Sequence, residues 1–276
     1  MMNKYESDDT EPVINETCLL GFVPAVLRAR GFRLYTQDTK RLVDLWQNGG
    51  AAVLGHTPPN VLRELKNYAS RGLFSPLPHF LHDRYLKALS KLFPGYAFRI
   101  YSNPPPALGT LFQKSAAGLW RPFVNIDTLF EIADNAPSIL VPVLPGIQSW
   151  RDNLPQGLCV LAAQSQGEFT RFPQSDTLPP YLLAAATRGV YGLIAASARG
   201  ELHYPRINKA LQNSRWKRTG IYLVLKNEPD TSTYNMLFQS FLDAGFLLPP
   251  YPSHPLILPA ELSDGEESKL AAELGT

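Results

Sequence analysis

The sequence predicts an α/β fold with a central, mostly parallel sheet of few strands. Short continuous apolar runs, typical of buried strands, lie at residues 97–101, 138–144 and 157–163. They alternate with longer stretches in which apolar residues recur at helical spacing, and the longest of these stretches covers residues 181–199. Such alternation favours a sheet that is covered by helices on its faces.

The composition is that of a folded globular chain. Of its 276 residues, 45% are apolar and 18% are charged, which is enough for one large or two modest domains with a core. The net charge of +2 and the lack of a basic stripe with interleaved aromatics argue against nucleic acid or an anionic membrane as a partner. No apolar run in the sequence approaches the length of a membrane span.

The N-terminus and the two cysteines indicate a cytoplasmic protein. Residues 1–12 are polar and acidic and lack the charged and apolar regions of a secretory signal, so we expect a flexible tail there. Cys18 and Cys159 lie far apart and do not have metal-site spacing. We expect both to be small buried hydrophobes in a reducing compartment.

The N-terminal part of the chain predicts a hairpin followed by two helices. Apolar residues alternate on both arms of residues 31–50, around a polar turn, which indicates a β-hairpin. Pro58 and Pro59 begin a helix that ends near Ser70, and a second helix ends near Pro94.

The remaining elements are predicted from the same patterns. Helices are expected at residues 126–133, 203–214 and 231–244, and a strand at residues 220–226. The residues around 145–146 and 153–157 contain the Pro and Gly of loops. Ser263 and Glu266 have the spacing of a capping box, which predicts the start of a last helix.

A turn with three consecutive prolines follows the strand at residues 97–101, in the sequence Ser102-Asn103-Pro104-Pro105-Pro106-Ala107. Free N–H groups at a helix N-terminus, with the helix dipole behind them, form an anion site. Proline has no N–H, although it is tolerated in the first turn of a helix. The sequence therefore predicts a helix start that lacks anion-binding N–H donors at the three prolines.

This turn resembles the phosphate-binding turn of the class III (fold type I) pyridoxal-phosphate-dependent aminotransferases, particularly the glutamate-1-semialdehyde aminomutase branch. In that family a strand ends in Ser-Asn-Gly-Ser/Thr-Glu-Ala, and the Gly-Ser/Thr donors hold the cofactor phosphate. Ser102, Asn103 and Ala107 match the family pattern, whereas prolines stand at the next three positions. We interpret Ser102, Asn103, Pro104 and Pro105 as a vestigial phosphate turn.

The hairpin is a second point of resemblance. Class III enzymes carry the pattern G-x-x-L-x-D-x-x-G-x-x-Y-x-D followed by Leu-Gly-His-x-x-Pro, and this chain has Asp38, Asp44 and Leu54-Gly55-His56-Thr57-Pro58-Pro59. Thr39 stands at the usual turn glycine. The resemblance covers residues 25–107 and 178–276 and is weak in between, where the family's large domain is drastically shortened.

The resemblance implies a reduced fold type I transferase-like fold with an α+β small domain built from both chain ends. We therefore expect a tail at residues 1–12 and the arm and hairpin of the small domain at 13–55. A reduced large domain would follow at 56–199, and the C-terminal part of the small domain at 200–276.

An aminotransferase needs a lysine that forms an imine with pyridoxal phosphate and an acid against the pyridinium nitrogen. The family's Gly-Lys and Asp-Glu-Val contexts for these residues are both missing from this sequence. The lysines between the proline turn and the long helix reduce to Lys114, which is either the catalytic residue or a solvated helix lysine. Asp127, Asp134 and Asp152 are each either the ring partner or a cap or loop acid.

Trp46, Asn48 and Gly49 correspond to the family's segment that approaches the substrate. Either a ligand pocket or packing at an interface is expected there. His56 is either part of that pocket or a structural loop histidine at a helix start.

Other catalytic and metal-binding patterns are weak. His79 and His82 have the i,i+3 spacing of a metal pair, but only Asp83 could complete a site, and no metal is predicted. The Gly-x-Ser-x-Gly elbow of serine hydrolases is also missing.

These losses favour a degenerate, non-catalytic homologue that acts as a binding or structural protein, with no cofactor expected. One alternative is an active aminotransferase or aminomutase that holds pyridoxal phosphate in a rearranged site. Another is a small-molecule sensor that uses the old substrate pocket. Because family members are dimers, the resemblance implies a homodimer or a heterodimer with a full-length aminotransferase paralogue.

Overall fold

The computed structural model describes residues 19–115, 117–125, 137–146, 148–151, 154–200 and 202–275. The predicted tail, the predicted helix at 126–133, and Cys18, Asp127, Asp134 and Asp152 lie outside the described residues. Within the described ranges, no helix is both long enough and apolar enough to cross a membrane.

The described chain consists of groups of strands separated by α-helices. The strands are β1 (Val26–Arg30), β2 (Arg33–Thr36), β3 (Arg41–Asp44), β4 (Ala97–Tyr101), β5 (Ala117–Trp120), β6 (Ile139–Pro142), β7 (Ser149–Arg151), β8 (Leu154–Gln156), β9 (Cys159–Ala163), β10 (Trp216–Thr219), β11 (Tyr222–Leu225), β12 (Phe246–Leu247) and β13 (Leu256–Ile257). The α-helices are α1 (Pro59–Ala69), α2 (Leu81–Leu92), α3 (Ala107–Gln113), α4 (Pro180–Ser197), α5 (Pro205–Ala210), α6 (Thr231–Asp243) and α7 (Asp264–Gly275).

One sheet joins the two ends of the chain in the order β1-β2-β3-β12. β2 and β3 form the predicted hairpin, with Leu34 opposite Leu42 and both side chains buried. Thr39 in the turn has a φ of 64°, which is the left-handed conformation that glycine adopts without strain. β12 pairs in parallel with β3, so the C-terminal part of the chain completes the N-terminal sheet, as the predicted small domain requires.

The central sheet has the order β4-β9-β6-β5. β9 is antiparallel to both of its neighbours, and β5 is parallel to β6. The prediction of a mostly parallel sheet is confirmed for strand direction, since β4, β5 and β6 run the same way. It is wrong for the neighbouring strands, because β9 lies between β4 and β6 and is antiparallel to both. Parallel neighbours need a long crossover connection, whereas β6 leads to β9 through the β7–β8 hairpin, part of which was predicted as a loop.

Helices cover both faces of the central sheet. On one face α4 packs against α1 and α2, above a core that includes Ile100, Leu140 and Val160. On the other face lies a second apolar cluster that includes Val141 and Leu161 and residues of α3. The alternation of these side chains along β6 and β9 follows from the two-residue repeat of a strand.

The C-terminal part contains the sheet β10-β11-β13 and helix α7. The strand predicted at 220–226 and the helix predicted at 231–244 are present as β11 and α6, while β10 was not predicted. The predicted capping box begins α7, since the Ser263 N–H donates to Glu266 Oε2 at 2.9 Å and the Glu266 N–H donates to Ser263 Oγ at 3.3 Å.

Candidate functional site

A buried carboxylate organises the loop that follows β3. Asp44 is 2% exposed, and its Oδ1 accepts hydrogen bonds from the backbone N–H groups of Trp46 at 2.9 Å and Gln47 at 2.8 Å. Its Oδ2 lies 2.8 Å from Nε2 of His56. The aspartate and the histidine of the two family-like motifs therefore form one pair, and both carboxylate oxygens have the partners that burial of a charge requires.

The backbone of this loop is strained. The four residues Gln47–Gly50 all have left-handed φ angles, of 47°, 50°, 68° and 112° in chain order. Non-glycine residues in this region persist only where their surroundings hold them, and they cluster at binding sites. Here Asn48 Nδ2 donates to the backbone oxygen of Gln148 at 2.8 Å. The loop is thus fixed by contacts with a distant part of the chain.

An arginine contacts the strained loop, and a tyrosine and a histidine interact electrostatically with that arginine. Arg121 Nη1 donates to the backbone oxygen of Gly49, and burial lowers the pKa of this arginine. Tyr222 donates its hydroxyl to the backbone oxygen of Pro122 at 2.8 Å. Burial and the Arg121 charge lower the pKa of His254 to about 4, so its imidazole is neutral at pH 7. This arrangement offers a cation and neutral hydrogen-bonding groups, which suit the binding of a polar or anionic group.

The structure brings together residues that the sequence left apart. Trp46 is half-buried, and within the described structure its Nε1 is a buried donor without a hydrogen-bond partner, a group that a ligand can satisfy. Sequence reasoning missed Arg121, Gln148 and His254. Arg121 contacts Gly49, which is 72 positions away, and Gln148 contacts Asn48, which is 100 positions away. No local sequence pattern could have identified contacts of this kind.

The carboxylate of Asp176 accepts hydrogen bonds from the first residue of the proline turn. The backbone N–H and the hydroxyl of Ser102 both donate to Asp176 Oδ2, each at 2.8 Å. Asp176 is held in place because its own N–H donates to the backbone oxygen of Ile100 at 2.8 Å. Helix α3 begins directly after Pro106, as the sequence predicts, and the Leu108 N–H donates to Pro105 O at 2.9 Å.

Among the described residues the lysines are exposed and Cys159 is buried. Lys114 follows the last residue of α3 and is exposed, and each of the other lysines in the described ranges is exposed as well. A lysine becomes nucleophilic at neutral pH when it is desolvated or placed beside another cation. Cys159 is buried as predicted, and burial raises the pKa of its thiol to about 12, so it stays protonated.

His79 and His82 do not meet other ligand-type side chains. His79 Nδ1 accepts a hydrogen bond from the Leu81 N–H at 3.2 Å, and its ring packs against Tyr68 and Phe80. Across the part of the chain that the structure describes, His, Cys, Asp and Glu form no group of three or more that could hold a metal ion.

The described residues do not fit pyridoxal phosphate at the proline turn. Prolines replace the N–H donors that would hold the phosphate, and the donors of Ser102 are taken by Asp176. An incoming phosphate would also meet the negative charge of that carboxylate. No buried lysine amine is available among the described residues.

No known protein-family profile matches the sequence. The chain is 37% identical over 106 residues to an uncharacterized protein of Treponema pallidum, a match that covers 35% of this chain and 34% of that protein's length. It is 23% identical over 252 residues to an uncharacterized protein of Borreliella burgdorferi, which covers 90% of this chain and 89% of that protein. These two matches give no information on function.

Solved structures of aminotransferases share the fold. The acetylornithine aminotransferase from Elizabethkingia anophelis aligns with a TM-score of 0.61 at 12% identity, covering 91% of this chain and 93% of that one. An omega-transaminase from Sphaerobacter thermophilus aligns with a TM-score of 0.63 at 10% identity, covering 91% and 90%. The chain therefore has the fold type I pyridoxal-phosphate-transferase fold of class III aminotransferases, which confirms the predicted fold class. At these identities the likeness establishes the fold alone.

Proposed function

We propose that this protein is a non-catalytic homologue of the class III aminotransferases, from the glutamate-1-semialdehyde aminomutase branch, that acts by binding. The observation that carries the proposal is the contact between Ser102 and Asp176. The carboxylate accepts from both Ser102 donors at 2.8 Å, and the prolines that follow supply no N–H. The Asp176 carboxylate therefore accepts the hydrogen bonds of Ser102 at the turn that corresponds to the family's phosphate-binding turn.

The exposure of the lysines supports the same proposal. An imine lysine of a transaminase works as a neutral amine, which requires a desolvated or cation-flanked position. Lys114, the candidate from the sequence, is exposed at the end of α3. An exposed lysine lacks the desolvated position that this chemistry requires.

The loop after β3 supports the proposal that the protein binds a ligand. Its backbone keeps the strained conformation of Gln47–Gly50, fixed by Arg121 and Gln148. The buried, unpartnered Nε1 of Trp46 is a donor that a ligand with an acceptor oxygen would satisfy. We propose this loop as the ligand-contacting remnant of the old substrate site, with His56 holding it through Asp44.

Calorimetric titration of the full chain with pyridoxal phosphate tests the proposal. No saturable binding is expected. A restored turn, combining Pro104→Gly, Pro105→Ser and Asp176→Asn, is expected to gain phosphate-dependent binding because it regains N–H donors and loses the competing carboxylate. Saturable binding to the wild-type chain, with competition by inorganic phosphate, would favour the alternative of an active enzyme with a rearranged site.

We also propose that the chain is a homodimer or pairs with a full-length aminotransferase chain. The connection between α1 and α2 exposes three large apolar side chains, since Phe74 is 59%, Leu77 51% and Phe80 62% exposed. A cluster of this kind marks a protein–protein surface more often than isolated exposed residues do. Phe74 also packs against Tyr181 of α4, with ring centroids 5.7 Å apart, which links the cluster to the helical layer.

Light scattering after gel filtration tests the dimer. The wild-type chain is expected at twice its monomer mass, and Phe80→Glu is expected to shift it to the monomer. Met236→Glu is the matched control, because Met236 is 65% exposed on α6 and lies outside the cluster. A monomeric wild-type chain would contradict the homodimer, and co-purification with an aminotransferase chain would then be the remaining form of the proposal.

A further inference from the structure

A cavity of about 620 Å³ lies between the end of α4 and the turn that joins β10 to β11. Its lining shares no residue with the proline turn or with Gln47–Gly50, although Val53 and Leu54 belong to the loop after β3. It is mainly apolar, with Ile221 and Leu258 also among its walls. Helix α4 and Leu54 are in close contact beside the cavity, since a Cβ on Gly192 would lie 2.8 Å from Leu54 Cδ1.

A strained aromatic residue forms part of the cavity wall. Phe123 has a φ of 64° and is 40% exposed. A bulky residue in the left-handed region is an outlier, and such residues occur at ligand clamps. Burial of an apolar ligand against the ring would offset the cost of holding it there.

The charged side chains around the cavity favour an anion. Arg199 lines it and is exposed, and no described carboxylate forms an ion pair with its guanidinium. Arg218 also lines it and is held over the ring of Tyr204, 5.1 Å from the centroid. Glu261 is an acidic residue of the described lining. Arg199 is the guanidinium that an anionic group in the cavity would meet.

We infer that this cavity binds an amphipathic monocarboxylate with an apolar body. The apolar walls take the body, and the carboxylate meets Arg199, for which it is the natural bidentate partner. Cavities of about 300–1,000 Å³ are typical of small-molecule sites, and the present volume suits an acyl chain of medium length. This site is independent of the proposed loss of pyridoxal-phosphate chemistry.

Calorimetric titration of the full chain with dodecanoate, below its micellar concentration, tests the inference. One saturable site is expected. Dodecan-1-ol, which has the same chain without the charge, is expected to bind about tenfold more weakly, and dodecylammonium not measurably. Equal binding of the acid and the alcohol, or no binding of dodecanoate, would overturn the inference.

Paired variants locate the site. Ala196 lines the cavity and Ala195 is its exposed neighbour on α4, so Ala196→Phe is expected to abolish dodecanoate binding while Ala195→Phe leaves it unchanged. Arg199→Gln is expected to weaken binding about fivefold, and Arg63→Gln, an exposed arginine of α1, not at all. If Ala196→Phe does not fold, the two arginine variants decide. Unchanged affinity in Arg199→Gln, with dodecan-1-ol binding as tightly as the acid, would place the ligand elsewhere.

Discussion

The ion pair between Arg33 and Glu266 joins the N-terminal hairpin to the last helix, and its removal gives a stability change that can be worked out from the structure. Arg33 Nε donates to Glu266 Oε1 at 2.8 Å, and its Nη2 contacts the other carboxylate oxygen. Glu266 is 8% exposed and also accepts from the Ser263 N–H at 2.9 Å. Glu266→Gln keeps the shape of the side chain and removes its charge.

The expected cost follows from the pKa of the carboxyl group. The hydrogen bonds from Arg33 and Ser263 lower the pKa of Glu266 from its ordinary value of 4.5 to about 2. Each unit of pKa corresponds to about 1.4 kcal/mol, so the charged form stabilises the fold by about 3 kcal/mol at neutral pH. We expect Glu266→Gln to lower the free energy of unfolding by about that amount.

The pH dependence has a definite sign. Because the folded pKa lies below the unfolded one, the stabilisation is complete above pH 4.5 and is lost as the pH falls through about 2. Urea titrations followed by tryptophan fluorescence should therefore give a constant gap between wild type and Glu266→Gln at neutral pH. The gap should narrow steadily below pH 4.5.

A control separates this ion pair from a general effect of charge. Glu228→Gln removes an exposed carboxylate from the connection after β11 and should change the free energy of unfolding by less than about 0.5 kcal/mol. If Glu266→Gln matches that control, or if its gap persists unchanged to the lowest pH at which the chain folds, the reasoning is refuted.

Four further substitutions test the packing and the backbone conformation by thermal and urea unfolding. Tyr85 is fully buried and its hydroxyl has no hydrogen-bond partner in the described structure, so Tyr85→Phe should stabilise the chain by about 1 kcal/mol; a loss would mean that the hydroxyl is satisfied. A Cβ on Gly189 would lie 1.9 Å from the backbone oxygen of Pro145, whereas one on Gly109 would meet nothing within 4 Å. Gly189→Ala should therefore cost about 3 kcal/mol and Gly109→Ala should gain about 1 kcal/mol, and equal effects would contradict the helix contacts. Thr39→Gly should gain about 0.5 kcal/mol by relieving the φ of 64°, and a loss would show that Thr39 is unstrained.

Local elements of the fold could be predicted because their signals are local. Apolar residues alternate on both sides of a short turn and predict the hairpin in which Leu34 pairs with Leu42. The three-residue spacing of Ser263 and Glu266 predicts the start of α7. The Pro58-Pro59 pair likewise marks the start of α1. Each of these patterns reflects contacts between residues close in sequence.

Pairings between distant residues could not be predicted in this way. The reversed direction of β9 depends on the short β7–β8 connection, which has no strong strand pattern. The missing donors of the proline turn could be predicted, but not the carboxylate of Asp176, which lies 74 residues from Ser102. The same applies to Arg121, which reaches Gly49 across 72 residues. Such contacts are set by the tertiary fold, and a single sequence carries no local signal for them.

The most direct test of the central claim is the near-ultraviolet and visible absorbance of the purified full chain, recorded with pyridoxal phosphate before and after desalting and then after borohydride reduction. Mass spectrometry of the reduced protein identifies any lysine adduct. We expect no band that survives desalting and no adduct concentrated at one lysine. A retained imine band, with a stoichiometric adduct at Lys114 or any other single lysine, would contradict the claim that this fold has lost its transaminase chemistry.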